Sequence, residues 1–158
     1  MLVLGLLATG GMAMAAAKPN LEEVRSRFRR DGPEAANRWL NETGQSDVIL
    51  DHMDRGEAGW IALAPQMAVD NGGAAITESL PIALARALPR NPTAVLKAIS
   101  PNDPHLLNVN DVCGQPFIEP TRAFMRRYKR RTLAAVSGVN DPSLRLVRDA
   151  CLRVLEKT

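Results

Sequence analysis

The sequence predicts an all-α protein, an irregular bundle of about six to seven helices closed by one disulfide. Apolar residues recur at helical spacing, and Asn, Asp, Pro and Gly stand at the segment ends where helices are capped or stopped. Aromatic residues make up only 4% of the chain, so the core must be built mainly from aliphatic residues, which suits helix packing better than a β-sandwich. The chain contains two cysteines, Cys113 and Cys151, behind an apolar N-terminal segment that indicates export.

That N-terminal segment has the pattern of a signal peptide. Residues 1–17 carry no charge and end in a run of small residues. The segment is short for a membrane span, which needs roughly 20 residues. We therefore expect cleavage near Ala17, a single helical domain over 18–158, and a periplasmic or secreted location. An uncleaved segment that acts as a membrane anchor is the alternative, and the lack of Lys or Arg before the apolar run departs from the signal pattern.

Capping residues place the helix boundaries at the start of the domain. Asn20 can cap a first helix that runs to about residue 30. Pro33 then fits the first position of a second helix. Ser46 or Asp47 is expected to cap a third helix that ends near Gly56.

The segment 57–99 has the most apolar helical pattern. A helix over 57–69 places Trp60 among apolar neighbours at helical spacing. A turn at 70–73 leads to a helix starting near Thr77 that is apolar on most sides and is therefore expected to be central. The order of helix, Asp-Asn-Gly-Gly turn, helix, Asn-Pro and short helix resembles one paired-helix unit of the HEAT-like α-solenoids. A solenoid normally needs about three such units, so an irregular bundle is the preferred architecture.

The last third of the chain predicts a long connection followed by two helices. Residues 100–120 hold five prolines or glycines among polar residues and are expected to be irregular. Helices are expected over 121–137 and 142–156, with Asp141 as the cap of the second.

Cys113 and Cys151 are expected to form a disulfide. Cys151 lies on the apolar face of the last helix, and antiparallel packing of the last two helices would bring the segment after Cys113 back beside it. Closing a loop of 38 residues (151 minus 113) would stabilise the fold by about 4 kcal/mol in the entropy model. Two independent buried thiols are the alternative. Neither cysteine is expected to be catalytic, because an inward helix face disfavours the thiolate.

A run of basic residues in the helix over 121–137 is the most conspicuous charge feature. On a helical wheel its apolar residues occupy an arc of roughly 120°, and the arginines spread over the rest. Arg126, Arg127, Arg130 and Arg131 form a candidate anion-binding face for an anionic envelope polymer or a nucleic acid. A nucleic acid is the less favoured ligand, because no aromatic residues are interleaved for base stacking.

Catalysis and metal binding have little support in the residues. His52 and His105 are each a candidate metal ligand or acid–base group. A hydrolytic enzyme that uses His52 with Asp51 or Asp54 is one alternative function. One histidine between adjacent carboxylates does not supply the convergent ligands of a metal site. Nucleophile motifs and glycine-rich phosphate loops are absent from the sequence. We therefore predict neither a metal nor a cofactor.

The function that the sequence favours is binding of a protein or peptide partner, without catalysis, by a small exported helical protein. Disulfide closure, the lack of catalytic motifs and an expected rigid helical surface support it. A periplasmic immunity or inhibitor protein is one version of this function. The net charge of +3, from 20 basic and 17 acidic residues, fits an acidic partner as well as an ordinary solvated surface.

Overall fold

The computed structural model describes residues 19–69, 74–102 and 107–158. Within these ranges every regular element is a helix, and the sole β interaction is an isolated bridge between Ser100 and Asn108. The predicted all-α fold is therefore confirmed. The expected signal segment, the expected turn at 70–73 and His105 lie outside the described residues.

Ten α-helices and one 3₁₀ turn follow each other along the described ranges. They are α1 (Leu21–Asp31), α2 (Pro33–Glu42), α3 (Ser46–Asp54), α4 (Ala58–Ile61), α5 (Ala64–Met67), α6 (Ala74–Ala87), α7 (Pro92–Ala98), α8 (Val109–Cys113), α9 (Arg122–Ser137), the 3₁₀ turn Pro142–Leu144, and α10 (Arg145–Lys157). None of the described helices has both the length and the apolar character that crossing a membrane requires.

Most of the expected helix ends are confirmed. Asn20 Oδ1 accepts a hydrogen bond from the Glu22 N–H at 2.9 Å, and Pro33 is the first residue of α2. The expected cap at Ser46 or Asp47 is wrong, because α3 already begins at Ser46. Gln45, the residue before it, has helical backbone angles (φ −86°, ψ −12°) rather than the extended ones that aim a capping side chain at the first turn.

The predicted helix over 57–69 is divided into α4 and α5. Pro65 has no N–H, so the helical hydrogen bond to Ile61 cannot form. The Leu63 N–H donates to the Trp60 carbonyl oxygen, three residues back, at 2.9 Å, and not to the Gly59 carbonyl, four residues back, as it would in a continuous α-helix. What the sequence predicts as a kink is therefore a break between two single turns of helix.

The expected irregular segment 100–120 contains a short helix, α8. Its cap is Asn108, whose Oδ1 accepts from the Asp111 N–H at 3.0 Å. Val109, Val112 and Cys113 of this helix are buried. The segment is thus held in the core by a single turn of helix too short to give a periodic pattern.

Helix α6 occupies the centre of the bundle, as its all-round apolar pattern predicts. It packs against α3, α7 and α8, and its Leu80 and Leu84 are completely buried, as is Leu88 directly after it. Helix α9 packs against α7 and α10. The C-terminal end of α6 contacts α9 through the hydrogen bond from Tyr128 to Ala85 and contacts α3 through the ion pair between Arg86 and Asp54.

Candidate partner-binding site

The four arginines of the predicted anion-binding face are all exposed on α9, but they lie on two sides of the helix. Arg127 and Arg131 are one helical turn apart and line a cleft, whereas Arg126 and Arg130 do not line it. Neighbouring residues on a helix are rotated by about 100°, which accounts for this division. Within the described part of the chain, none of the four guanidinium groups has a hydrogen bond or ion pair.

We term this concave surface the arginine cleft. It has a volume of about 380 Å³ and lies between the end of α3, the end of α6 and one face of α9. Its lining residues are Asp54, Arg86, Pro89, Arg90, Phe124, Arg127, Tyr128 and Arg131. Sequence reasoning missed Arg86 and Arg90. Their signal is the same four-residue spacing as Arg127 and Arg131, but only the fold shows that the two pairs face each other across a cleft.

Asp54 compensates part of the positive charge in the arginine cleft. Arg86 Nη1 lies 3.3 Å from Asp54 Oδ2, and Arg90 Nη1 lies 3.0 Å from Asp54 Oδ1. Arg90 Nη1 also donates to the Asp54 and Arg86 carbonyl oxygens, at 2.9 and 2.8 Å. Four arginines and one aspartate leave three uncompensated positive charges, so the cleft is complementary in charge to an anionic group.

Packed aromatic rings form the apolar part of the cleft. The buried Tyr128 hydroxyl donates to the Ala85 carbonyl oxygen at 2.8 Å, which ties α9 to α6. Phe117 meets Phe124 and Tyr128 edge to face, with ring centroids 5.2 and 4.7 Å apart. These contacts hold the arginine-bearing face of α9 in a defined position.

The ionisation of Tyr128 gives a direct test of this packing. Burial raises the pKa of Tyr128 to about 12, against about 10 for an exposed tyrosine. Tyr128 is the single tyrosine of the chain, so the ultraviolet absorbance of tyrosinate reports on it alone. We expect a titration midpoint near 12 in the folded protein and near 10 in urea.

The sign of the linked stability change follows from this difference in pKa. The unfolded chain releases the tyrosine proton first, so the contribution of neutral Tyr128 to stability is complete below pH about 10 and is lost between about 10 and 12. The free energy of unfolding should therefore fall with rising pH in that window. A folded-state midpoint near 10 would contradict the burial of Tyr128.

Two further grooves adjoin the arginine cleft. The first, termed the apolar groove, has a volume of about 470 Å³ and shares Arg86, Phe124 and Arg127 with the cleft. Ile118 on its wall is 82% exposed. The second, termed the acidic groove, shares Asp54 and Arg86 with the cleft and also contains Asp47 and Asp51. Arg86 therefore stands where the three concavities meet.

His52 is not brought together with Asp51 or Asp54. Its Nδ1 lies 2.8 Å from Glu57 Oε2, and its ring stacks on Trp60 with centroids 4.8 Å apart. Asp51 pairs with Arg55, while Asp54 faces the arginine cleft. The hydrogen bond with His52, followed by that with Arg55, holds the pKa of Glu57 below its usual value. The pairing expected for a hydrolytic enzyme is therefore replaced by contacts that pack the histidine against the core.

The predicted disulfide is confirmed. Cys113 and Cys151 are bonded, with their Cα atoms 5.5 Å apart, and the bond joins the end of α8 to α10. Among the described residues, no group of three or more His, Cys, Asp and Glu side chains is arranged to hold a metal ion.

Comparison with protein-family models, curated proteins and solved structures finds no match for this chain. The resemblance of 57–99 to a HEAT-like helix pair accordingly stays a resemblance.

Proposed function

We propose that the protein binds a protein or peptide partner through the arginine cleft and has no catalytic activity of its own. The observation that carries this proposal is the convergence of four arginines on one concave surface with a single carboxylate, Asp54, which in the described part of the chain pairs only with Arg86 and Arg90. Arg127 and Arg131 have no ion-pair partner within the described chain. A guanidinium group matches the geometry of a carboxylate, so acidic side chains of a partner complement the cleft.

The cleft suits a protein better than an anionic polymer. Its walls combine arginines with the rings of Phe124 and Tyr128, and arginine and aromatic residues are enriched at the centres of protein interfaces. The charges of an anionic polymer are neutralised by an extended row of basic side chains rather than by a cleft. Arg126 and Arg130 continue the positive surface around α9 and are the observation that keeps polymer binding as the second candidate.

A matched pair of double variants separates these two functions. Arg127→Gln/Arg131→Gln removes two charges from the cleft, and Arg126→Gln/Arg130→Gln removes the same two charges from another side of the same helix. Both should fold normally, because surface substitutions are typically within about 0.5 kcal/mol each. We expect the cleft variant to bind a partner captured by the wild-type protein at least about tenfold more weakly, and the control variant to bind it unchanged.

Columns of heparin and of nucleic acid complete this experiment. If both double variants lose binding equally, and wild-type binding falls steeply with salt, the protein binds an anionic polymer. If the cleft variant holds the captured partner as tightly as wild type does, the cleft is not the binding site and the proposal is wrong.

We also propose that the protein is exported to the periplasm or secreted. The disulfide supports this location, because disulfides form and persist in oxidising compartments. N-terminal sequencing of protein from the cell envelope or the medium should find a chain beginning near Lys18. Recovery from the cytosol with Met1 intact would contradict export.

A further inference from the structure

The arginine cleft and the apolar groove form one continuous surface with two chemical characters. Arg86, Phe124 and Arg127 belong to the walls of both concavities. On one side of these residues lie Arg90 and Arg131, and on the other lie Ile82 and Ile118 together with Phe117. A ligand that fills this surface therefore needs an anionic part and an apolar part close together.

The apolar side of this surface is held in place before any ligand binds. Phe117 packs edge to face on Phe124 of α9. Gln115 and Glu119, which flank Phe117 and Ile118, have positive φ angles of 63° and 47°. Such angles are uncommon for residues other than glycine and persist where the surroundings hold them. The segment thus presents Ile118, a large apolar side chain that is 82% exposed, beside the arginines.

We infer that this surface recognises a peptide segment of a partner protein in which an acidic side chain lies next to a large apolar side chain. The inference rests on the proposed function and specifies its ligand. The carboxylate binds Arg127 and Arg131, which have no partner within the described chain, while Asp54 keeps Arg86 and Arg90 paired. The apolar side chain covers Ile118 and Ile82 in the groove, where removal of apolar surface from water favours binding.

Simpler ligands match only half of this surface. A polyanion neutralises the arginines but leaves Ile118 exposed, and the exposed carboxylate of Asp47 in the acidic groove repels an extended anionic chain. A wholly apolar segment leaves the three uncompensated charges of the cleft in place and removes water from them. The combination of acidic and apolar side chains is what complements both parts.

The probe for this inference is a fluorescein-labelled peptide, Gly-Ser-Glu-Glu-Leu-Phe-Ser-Gly, titrated with the protein and followed by fluorescence polarisation. Two matched peptides replace Glu-Glu with Gln-Gln, or Leu-Phe with Ser-Ser. We expect the wild-type protein to bind the first peptide about tenfold more tightly than either matched peptide. Arg127→Gln/Arg131→Gln should abolish the preference for Glu-Glu, and Arg126→Gln/Arg130→Gln should keep it.

The apolar half has its own matched control. Ile118→Ser and Leu146→Ser both remove an exposed apolar side chain, 82% and 79% exposed, and Leu146 lies on α10, where it lines neither the cleft nor the groove. We expect Ile118→Ser to weaken binding of the Glu-Glu-Leu-Phe peptide about fivefold or more and to leave the Ser-Ser peptide unaffected. Leu146→Ser should bind all three peptides as wild type does.

Equal binding of the three peptides, no binding up to about 1 mM, or equal effects of Ile118→Ser and Leu146→Ser would each overturn the inference. The failure of the inference is distinguishable from that of the proposed function. If Arg127→Gln/Arg131→Gln still abolishes capture of the native partner while the peptides show no preference, the proposed function stands and only the ligand assignment is wrong.

Discussion

Replacement of Trp60 by alanine is expected to lower the free energy of unfolding by about 3 to 5 kcal/mol. Trp60 is 6% exposed and belongs to the main core cluster. One face of its ring stacks on His52, which Glu57 holds by a hydrogen bond. Because α4 is a single turn of helix with few hydrogen bonds of its own, its position depends on this packing. The loss combines the transfer energy of the ring with the cavity that it leaves.

Trp39 provides the matched control for Trp60. It is half-buried, and its ring is covered by the Arg27 guanidinium at 4.0 Å rather than enclosed by the core. We expect Trp39→Ala to lower the free energy of unfolding by about half as much or less, because less apolar surface returns to water. Urea unfolding of the two variants measures the difference. If Trp60→Ala unfolds at the same urea concentration as the wild-type protein, the Trp60 side chain does not contribute to the packing of the core.

The helices were predictable from the sequence where a local signal marks them. Asn20 caps α1 and Asp141 caps the 3₁₀ turn before α10, each through a side-chain oxygen that accepts a backbone N–H. Pro33 starts α2 because its ring fixes a helical φ. Two departures have local causes too. Pro65 breaks a predicted helix because it lacks an N–H, and α8 was missed because a single turn shows no periodicity.

The arginine cleft was predictable only in part. The exposure of Arg127 and Arg131 follows from the helical wheel of α9, because the apolar arc must face the core and the basic arc therefore faces solvent. The wheel also sets Arg126 and Arg130 about 100° away from this pair, but it does not show which of the two pairs lines a cleft. The cleft itself depends on Asp54 pairing with Arg86 and Arg90, 32 and 36 residues along the chain, and no local pattern encodes such distant contacts.

Loss of the disulfide is the second large effect. Replacement of Cys151 by serine is expected to lower the free energy of unfolding by about 2 to 5 kcal/mol. The bond closes a loop of 38 residues, so its removal returns conformational freedom to the unfolded chain. It also leaves a hydroxyl at a completely buried position and a free thiol at Cys113. Urea unfolding of oxidised wild type, reduced wild type and the variant should place the last two close together.

Thiol alkylation without reductant checks the bond itself, and two alkylated cysteines in the folded protein would contradict it.

The effect of Cys151→Ser should be confined to the stability of the protein. Helix α9 is tied to α6 by the hydrogen bond from Tyr128 to Ala85, and α6 lies beside α3, so the arginine cleft does not depend on the link between α8 and α10. We therefore expect Cys151→Ser, at temperatures where it is folded, to keep the wild-type preference for the Glu-Glu-Leu-Phe peptide over its Gln-Gln form. Loss of this preference in the folded variant would show that α10 positions α9, on which it packs, and so helps to form the cleft.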